Sequence, residues 1–315
     1  MKVLVTGGAG FIGSNIVRRL VDRGDQVTVI DNLQSGYAQN LDPFPTVNFI
    51  HGDIRSESSM NQAMEGIDVV FHLAASVGNK RSIDMPMDDA ETNVLGTIQV
   101  LEAMRKHGAK RIVASSSAGI FGELKTLPIA EQHQVEPDSP YGATKLAMEK
   151  LCLAYAKLYD MDAVCLRYFN VFGPNQRFDA YGNVIPIFVF KMLRGEGLTI
   201  FGDGEQTRDF IHVDDVVQAN LKGADAPKGV SGAFNLGSGE RISINNLVKK
   251  IQELAGREVR YEYGPPRAGD VRDSLADFTK ATKELGFKPQ VEFNEGLRNY
   301  IQWAEKEAAQ PVGSR

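Results

Sequence analysis

The sequence predicts an α/β fold: a doubly wound, Rossmann-like parallel sheet with a smaller, discontinuous α/β substrate domain attached. Three observations predict it. Short β-branched apolar runs alternate with amphipathic stretches through the first half of the chain. The first of these runs ends in a cluster of glycines that opens a helical pattern. Beyond residue 168 the segments shorten and are punctuated by Gly, Pro and Asn. Alternation of this kind builds a parallel sheet with helices on both faces.

Residues 2–6 read as a strand, 11–23 as a helix and 26–30 as a second strand, a βαβ unit. Apolar runs at 47–51, 69–73 and 111–115 continue the strands, between helical patterns at 59–64 and 93–107, the second closed by Gly108. A helix over 141–159 and a strand over 163–167 follow. Segments 209–214 and 232–236 are expected to return to the main sheet as strands, while 199–201 and 258–263 suit a small separate sheet. The domains expected are therefore 1–168 with returning segments at about 209–238, and 169–208 with 239–315. The residues from Pro311 onward read as a loose tail.

Composition excludes several classes. Apolar residues make up 43% of the 315, ordinary for a globular protein and too many for a disordered or fibrous one. The formal charge is −5 with no block of like charge, which argues against a nucleic-acid partner. Cys152 and Cys165 lie in apolar surroundings without paired spacing or nearby histidines, so buried thiols are expected rather than a disulfide scaffold or a metal site. No apolar run reaches the roughly 18 residues of a membrane span. The apolar N-terminal run is interrupted by Gly7, Gly8, Gly10 and Gly13 instead of forming a signal-peptide core, so the cytoplasm is the expected compartment.

Gly7, Gly10 and Gly13 stand between a strand and a helix, where a tight turn lets the backbone approach a pyrophosphate resting on the helix N-terminus. Asp31 closes the second strand, placed to accept hydrogen bonds from an adenosine ribose. Asn32 and Leu33 follow it rather than an arginine, so a 2′-phosphate would meet uncompensated repulsion, and NAD is expected over NADP. Asp53, after the third strand, is a turn residue or an acceptor for the adenine amino group.

Tyr141 and Lys145 are four apart at the start of a helical stretch and project from one face. An ammonium there favours the tyrosinate, which predicts a phenol pKa lowered from about 10. Such a phenolate can take a hydroxyl proton while the carbinol carbon gives hydride to a nicotinamide. Ser115, Ser116 and Ser117 close a strand at the carboxyl edge of the sheet, where open α/β sheets place their ligands.

Several motifs in order complete the reading: His72-Leu73-Ala74-Ala75, Ser115 to Gly122, the Tyr141/Lys145 pair, Arg167 to Pro174, Gly202 to Phe210, and Arg267-Ala268-Gly269-Asp270. With the glycine turn, they make the whole chain resemble the extended short-chain dehydrogenase/reductase family, in particular its NAD-dependent nucleotide-sugar epimerases of the UDP-glucose (UDP-galactose) 4-epimerase type. The resemblance implies a Ser117, Tyr141 and Lys145 triad. It implies NAD contacts at Gly7, Gly10, Phe11, Ile12, Gly13, Asp31, Asn32, Ser35, Gly36, Asp53, Ile54, Leu73, Ala74, Ala75, Ser115, Tyr141, Lys145 and Tyr168. It implies contacts to a UDP-sugar at Ser117, Asn170, Asn183, Val184, Phe201, Arg208, Arg267, Asp270 and Ser274. Arg208 and Arg267 would take the diphosphate, and Phe201 would pack on the base.

The resemblance also implies a mechanism: tightly bound NAD accepts hydride from C4, the 4-keto sugar turns about its diphosphate tether, and hydride and proton return to the opposite face. Related dehydratases and decarboxylases carry an acid just after the catalytic Ser/Thr; here Ala118 and Gly119 stand there, which favours epimerisation. Phe121 replaces a frequent tyrosine. Ser274 stands where epimerases limited to glucose and galactose have a bulky tyrosine, so N-acetylhexosamines are expected to fit as well. The helices over 93–107 and 141–159 imply a homodimer. The alternatives are a UDP-glucuronate 4-epimerase or another keto-sugar enzyme and, outside enzymes, an NAD-binding regulator; the last expects a broken triad, whereas Ser117, Tyr141 and Lys145 are all present.

Overall fold

Six strands alternate with helices over the first half of the chain in a computed structural model, which describes residues 1–123, 125–178, 182–266 and 271–309. They are β1 (Lys2–Thr6), β2 (Gln26–Asp31), β3 (Asn48–His51), β4 (Val69–His72), β5 (Arg111–Ser117) and β6 (Asp162–Tyr168). Shorter strands follow: β7 (Asn170–Phe172), β8 (Leu198–Phe201), β9 (Thr207–Arg208), β10 (Phe210–His212), β11 (Gly232–Leu236), β12 (Ile242–Ser243) and β13 (Tyr261–Gly264). The main sheet has the order β11-β6-β5-β4-β1-β2-β3, and its neighbouring strands are all parallel. Strand order reverses at β1, flanked by β2 and β4, and ligands bind at the carboxyl ends beside such a switch point.

Period-two alternation sends side chains to two cores. Val3 and Val5 of β1 pack with Ile16, Val17 and Leu20 of the helix Phe11–Asp22 and with Val216 and Val217 of the helix Val213–Ala224. Leu4 points the other way, into a cluster with Val70, Ile112, Leu101, Met104, Met148 and Cys152. Both cysteines are free and buried there. Leu101 and Met148, at helical spacing on the helices over 93–107 and 141–159, are core residues of the single chain. A third core, around Phe188, Val189, Leu198, Leu247, Ile251, Leu297 and Tyr300, is assembled from segments far apart in sequence.

Two expectations are corrected. Segment 209–214 does not join the main sheet: β10 pairs with β7, and the chain turns at once into the helix Val213–Ala224, whose first N–H groups are capped by His212 Nδ1 accepting from Asp214 N at 3.2 Å. Only β11 returns, at the edge beside β6. The helix expected from residue 93 starts earlier. The helix Pro86–Ala90 passes through a π turn, Glu91–Leu95, into the helix Gly96–His107. Pro86 at its first position and Asp88 and Asp89 in its first turn are the start signal. Gly108, at φ 83°, closes it.

Candidate active site

The glycine turn sits at the carboxyl end of β1. Gly7 has φ 70°, and a Cβ on it would lie 2.7 Å from Ala74 N; one on Gly13 would run into the Gly7 carbonyl. The helix Phe11–Asp22 therefore starts hard against the turn. Gly10, its N-cap, carries no side chain to satisfy the first N–H groups. A cradle closed to any Cβ at the mouth of a helix fits a dinucleotide's diphosphate.

Asp31, 7% exposed, accepts from Ala9 N at 3.0 Å and Leu33 N at 2.8 Å. Burial pushes its carboxyl above the usual range, and those two N–H groups oppose the shift. A Cβ on Gly36 would lie 3.0 Å from Asp31 Oδ2, so glycine leaves that oxygen approachable. Asn32 donates to Asp53, whose carboxylate Arg55 grips through its side chain and backbone N–H and holds at about 2. Asp53 is thus both a turn residue and one partner of an ion pair. Phe11, Ile12, Leu73, Ala74 and Ala75 are half-buried, Ser35 is exposed and Ile54 is buried.

Ser139 and Pro140 fix the start of the helix Pro140–Tyr159. Ser139 Oγ caps Gly142 N at 3.1 Å, and Pro140 takes the first position, where no N–H is needed. Tyr141 and Lys145 follow one turn apart, facing the end of β5. The Tyr141 ring and Ser117 Oγ both border Gly119, and the Ser117 hydroxyl favours the charged form of the phenol. Lys145, buried, donates from Nζ to the Ser115 carbonyl at 2.7 Å and to its Oγ at 3.2 Å. Gly142 lets the helix close on the turn after β5, because a Cβ there would strike the Gly119 carbonyl. The site thus brings Ser117, Tyr141, Lys145 and Ser115 together.

Its electrostatics depart from the sequence expectation. The Tyr141 phenol is not lowered. Burial pushes it up to about 12, the Ser117 hydroxyl pulls against that, and the Asp89 carboxylate raises it further. Burial pushes Lys145 down to about 8, opposed by Asp89. The reason is common to both groups: a cleft with little water penalises each charged form, and the ammonium is anchored on Ser115 rather than on the phenol.

Behind these residues lies a polar chain that sequence reasoning missed. Ala74 N donates to Thr6 Oγ1, which is 2.8 Å from His72 Nδ1; His72 Nε2 is 3.0 Å from Thr97 Oγ1, which donates to the Asn93 carbonyl. Asn93 holds Ser76 through both backbone groups and reaches Thr144, which donates to Asp89 at 2.5 Å. One network therefore spans the glycine turn, β4, the π turn and the Tyr141 helix. Glu149, two turns beyond Tyr141, forms a buried bidentate pair with Arg167 and accepts from Ser116.

On the far side a cleft of about 700 Å³ is lined by Phe201, Gln206, Tyr263, Val271 and Arg272, among others. Phe201 was expected there; Tyr263 and Arg272 were not. Arg208 is buried and donates to the Thr207 carbonyl. Asn170 and Asn183 make weak bonds to the carbonyls of Asp209 and Val171, and Val184 opens the helix Val184–Leu193. Ser274 is buried between Asp273, which accepts from Thr207, and Leu275, whose carbonyl accepts from Ile129 N. Arg267 and Asp270 lie outside the described residues.

A family model, that of the NAD dependent epimerase/dehydratase family, matches residues 3–237. The chain belongs to that family. It is 40% identical over 308 residues to the UDP-glucose 4-epimerase of Mycolicibacterium smegmatis, covering 96% of this chain and 98% of the relative. Among solved structures it is similar to a UDP-glucose 4-epimerase from Thermotoga maritima with UDP-glucose, at TM-score 0.93 and 40% identity over 98% of this chain and 100% of that one. It is also similar to a UDP-N-acetylglucosamine 4-epimerase from Methanobrevibacter ruminantium in complex with UDP-N-acetylmuramic acid, at TM-score 0.92 and 36% identity over 97% and 98%. These full-length likenesses make this family member an isomerase of the 4-epimerase type with NAD as its cofactor.

Two residues singled out in the sequence have defined surroundings in this epimerase. Tyr168 directs its hydroxyl into the core, where Asn220 donates to it at 2.9 Å. Phe121 is buried beneath the Arg167 guanidinium, 5.1 Å from its ring centre, a packing position. No described helix is long and apolar enough to cross a membrane.

Proposed function

We propose that the protein interconverts UDP-hexoses at C4, and UDP-N-acetylhexosamines with them, through a transient 4-keto sugar. The observation that carries this reading is Tyr141 set beside Ser117 at the carboxyl edge of the sheet, with buried Lys145 one turn along the same helix and bonded to Ser115. Tyr141 takes the proton of the sugar 4-hydroxyl and later returns it to the same oxygen. Ser117 Oγ holds that oxygen, and the charge of Lys145 favours the phenolate at the moment of transfer. When bound, NAD accepts hydride from C4 and gives it back, so no net oxidation occurs.

Epimerisation is favoured over dehydration by the ground next to Ser117. A side chain on Gly119 would begin 3.4 Å from Ser117 Oγ and 3.7 Å from the Tyr141 ring, and no acid occupies that place to shuttle a proton for elimination. Phe201 and Tyr263, across a cleft roomy enough for a nucleoside, support base binding there. The small Ser274 supports tolerance of a C2 acetamido group. Exposed apolar side chains on the π turn Glu91–Leu95 and the helix Pro140–Tyr159 support assembly as a homodimer.

The test is to incubate the purified protein, without added cofactor, with UDP-N-acetylglucosamine, UDP-glucose and UDP-glucuronate and to follow the anomeric proton signals. Axial-4-hydroxyl products are expected from the first two. Conversion of UDP-glucuronate alone, or the appearance of 4-keto-6-deoxy signals, would overturn the reading.

A further inference from the structure

Asp89 lies in the short helix Pro86–Ala90, which packs on the helix carrying Tyr141 and Lys145. It has no exposed surface. Its Oδ2 accepts the Thr144 hydroxyl at 2.5 Å, and its Oδ1 is buried with no hydrogen-bond partner. Thr144 stands between the two reactive residues, and its hydroxyl lies 3.1 Å from the Tyr141 carbonyl. A hydrogen-bond acceptor for Thr144 could be supplied by a neutral side chain. A carboxylate with one orphaned oxygen is a more costly choice in the interior, and its charge is the property that a neutral side chain lacks.

We propose that Asp89 is a positioning residue for the reaction: through Thr144 it fixes the helical turn that presents Tyr141, and its charge keeps Lys145 in the ammonium form. This rests on the triad reading above. Lys145 is 4% exposed and its hydrogen-bond acceptors, the Ser115 carbonyl and hydroxyl, are neutral. The other groups facing the pair are Ser117 on β5, His72 on β4, which burial keeps uncharged, and the Cys152 thiol on the same helix. Asp89 is the carboxylate among them, and it raises the proton affinity of both Lys145 and Tyr141. Burial leaves Lys145 at about 8 even with this support, so removing the carboxylate lowers its proton affinity further.

The experiment is a titration of the Lys145 13Cε signal in lysine-labelled protein carrying its NAD, assigned by its loss in Lys145→Met. The Asp89→Asn variant keeps an acceptor for Thr144 and removes the charge. Its Lys145 midpoint is expected to fall by about half to one pH unit, and the alkaline limb of kcat to move down with it. Thr144→Val removes the hydrogen bond and keeps the charge; kcat is expected to fall several-fold with the Lys145 midpoint unmoved. Asp89→Ser repeats the first measurement if the amide is not accommodated. An unchanged midpoint in folded Asp89→Asn or Asp89→Ser would overturn the proposal, as would an equal shift in Thr144→Val. The midpoint is read without turnover, so a protein inactive on every sugar offered would defeat the triad reading and still leave the influence of Asp89 measurable.

Discussion

Lys145 Nζ lies 2.7 Å from the carbonyl oxygen of Ser115, so one hydrogen bond ties the helix that presents Tyr141 to the strand that presents Ser117. The bond is buried, and the charge it carries is lost as pH rises through about 8. Epimerisation is therefore expected to decline above about pH 8 with substrate binding little changed, a kcat effect read from rates between pH 6 and 10. Lys145→Met, whose unbranched chain fits the same space, is expected to lose about 10²-fold or more in kcat at every pH. Lys145→Arg is not expected to rescue it, because a planar guanidinium does not reproduce a compact ammonium donating to the Ser115 carbonyl and hydroxyl.

Ser117 carries a second prediction. Its hydroxyl is the group that pulls the Tyr141 phenol down against burial, and it caps Gly119 N at 3.1 Å. Ser117→Ala should lower kcat by about 10²- to 10³-fold, the ordinary worth of one hydrogen bond to a reacting oxygen. KM should change little. A loss confined to KM would mean that the hydroxyl binds the ground state only.

His72 links the site to acid stability. Its ring is buried between Thr6 and Thr97, and burial, with the nearby Lys145 charge, pushes its pKa down to about 3 from 6.5. In the unfolded chain the ring takes up a proton below about 6.5; in the fold it resists until about 3. The unfolded state thus binds more protons across that window, and stability falls as pH drops through it. The loss amounts to several kcal/mol by pH 3, an order-of-magnitude figure. Urea midpoints at pH 7, 5 and 4 should decline steadily, and more shallowly in His72→Gln. Equal slopes in the two proteins would show that the ring is protonated in the fold.

The parts of the molecule that were legible in the sequence are the local ones. The glycine turn announces itself because Gly7 and Gly13 must tolerate a close approach, and Ser139-Pro140 marks the helix carrying Tyr141 and Lys145 four residues apart. What escaped was set by distant partners. The short strand β10 reads like a main-sheet strand, and only its pairing with β7, forty residues away, places it elsewhere. Thr6 with His72 and Asp89 with Thr144 are joined across more than fifty positions, and single polar residues carry no period that would reveal such bonds. The pKa of Tyr141 was misjudged because spacing reports the neighbouring charge and not the burial, which outweighs it.

Subunit pairing gives the last prediction. Leu95, Leu158 and Tyr159 are 58, 68 and 40% exposed on the π turn and the Tyr141 helix, beside half-buried Ile98, Leu151 and Tyr155. Single exposed leucines are common, but exposed and half-buried apolar side chains on two neighbouring elements make a surface that a second copy would cover, with the same patch contributed from each side of a two-fold axis. Light scattering should return twice the chain mass at micromolar concentration. Leu158→Glu together with Leu95→Glu places two charges in that contact from each subunit and should return the single-chain mass, with the circular dichroism spectrum unchanged because neither side chain belongs to a core. A double variant that stays at twice the chain mass would move the interface to another face of the molecule.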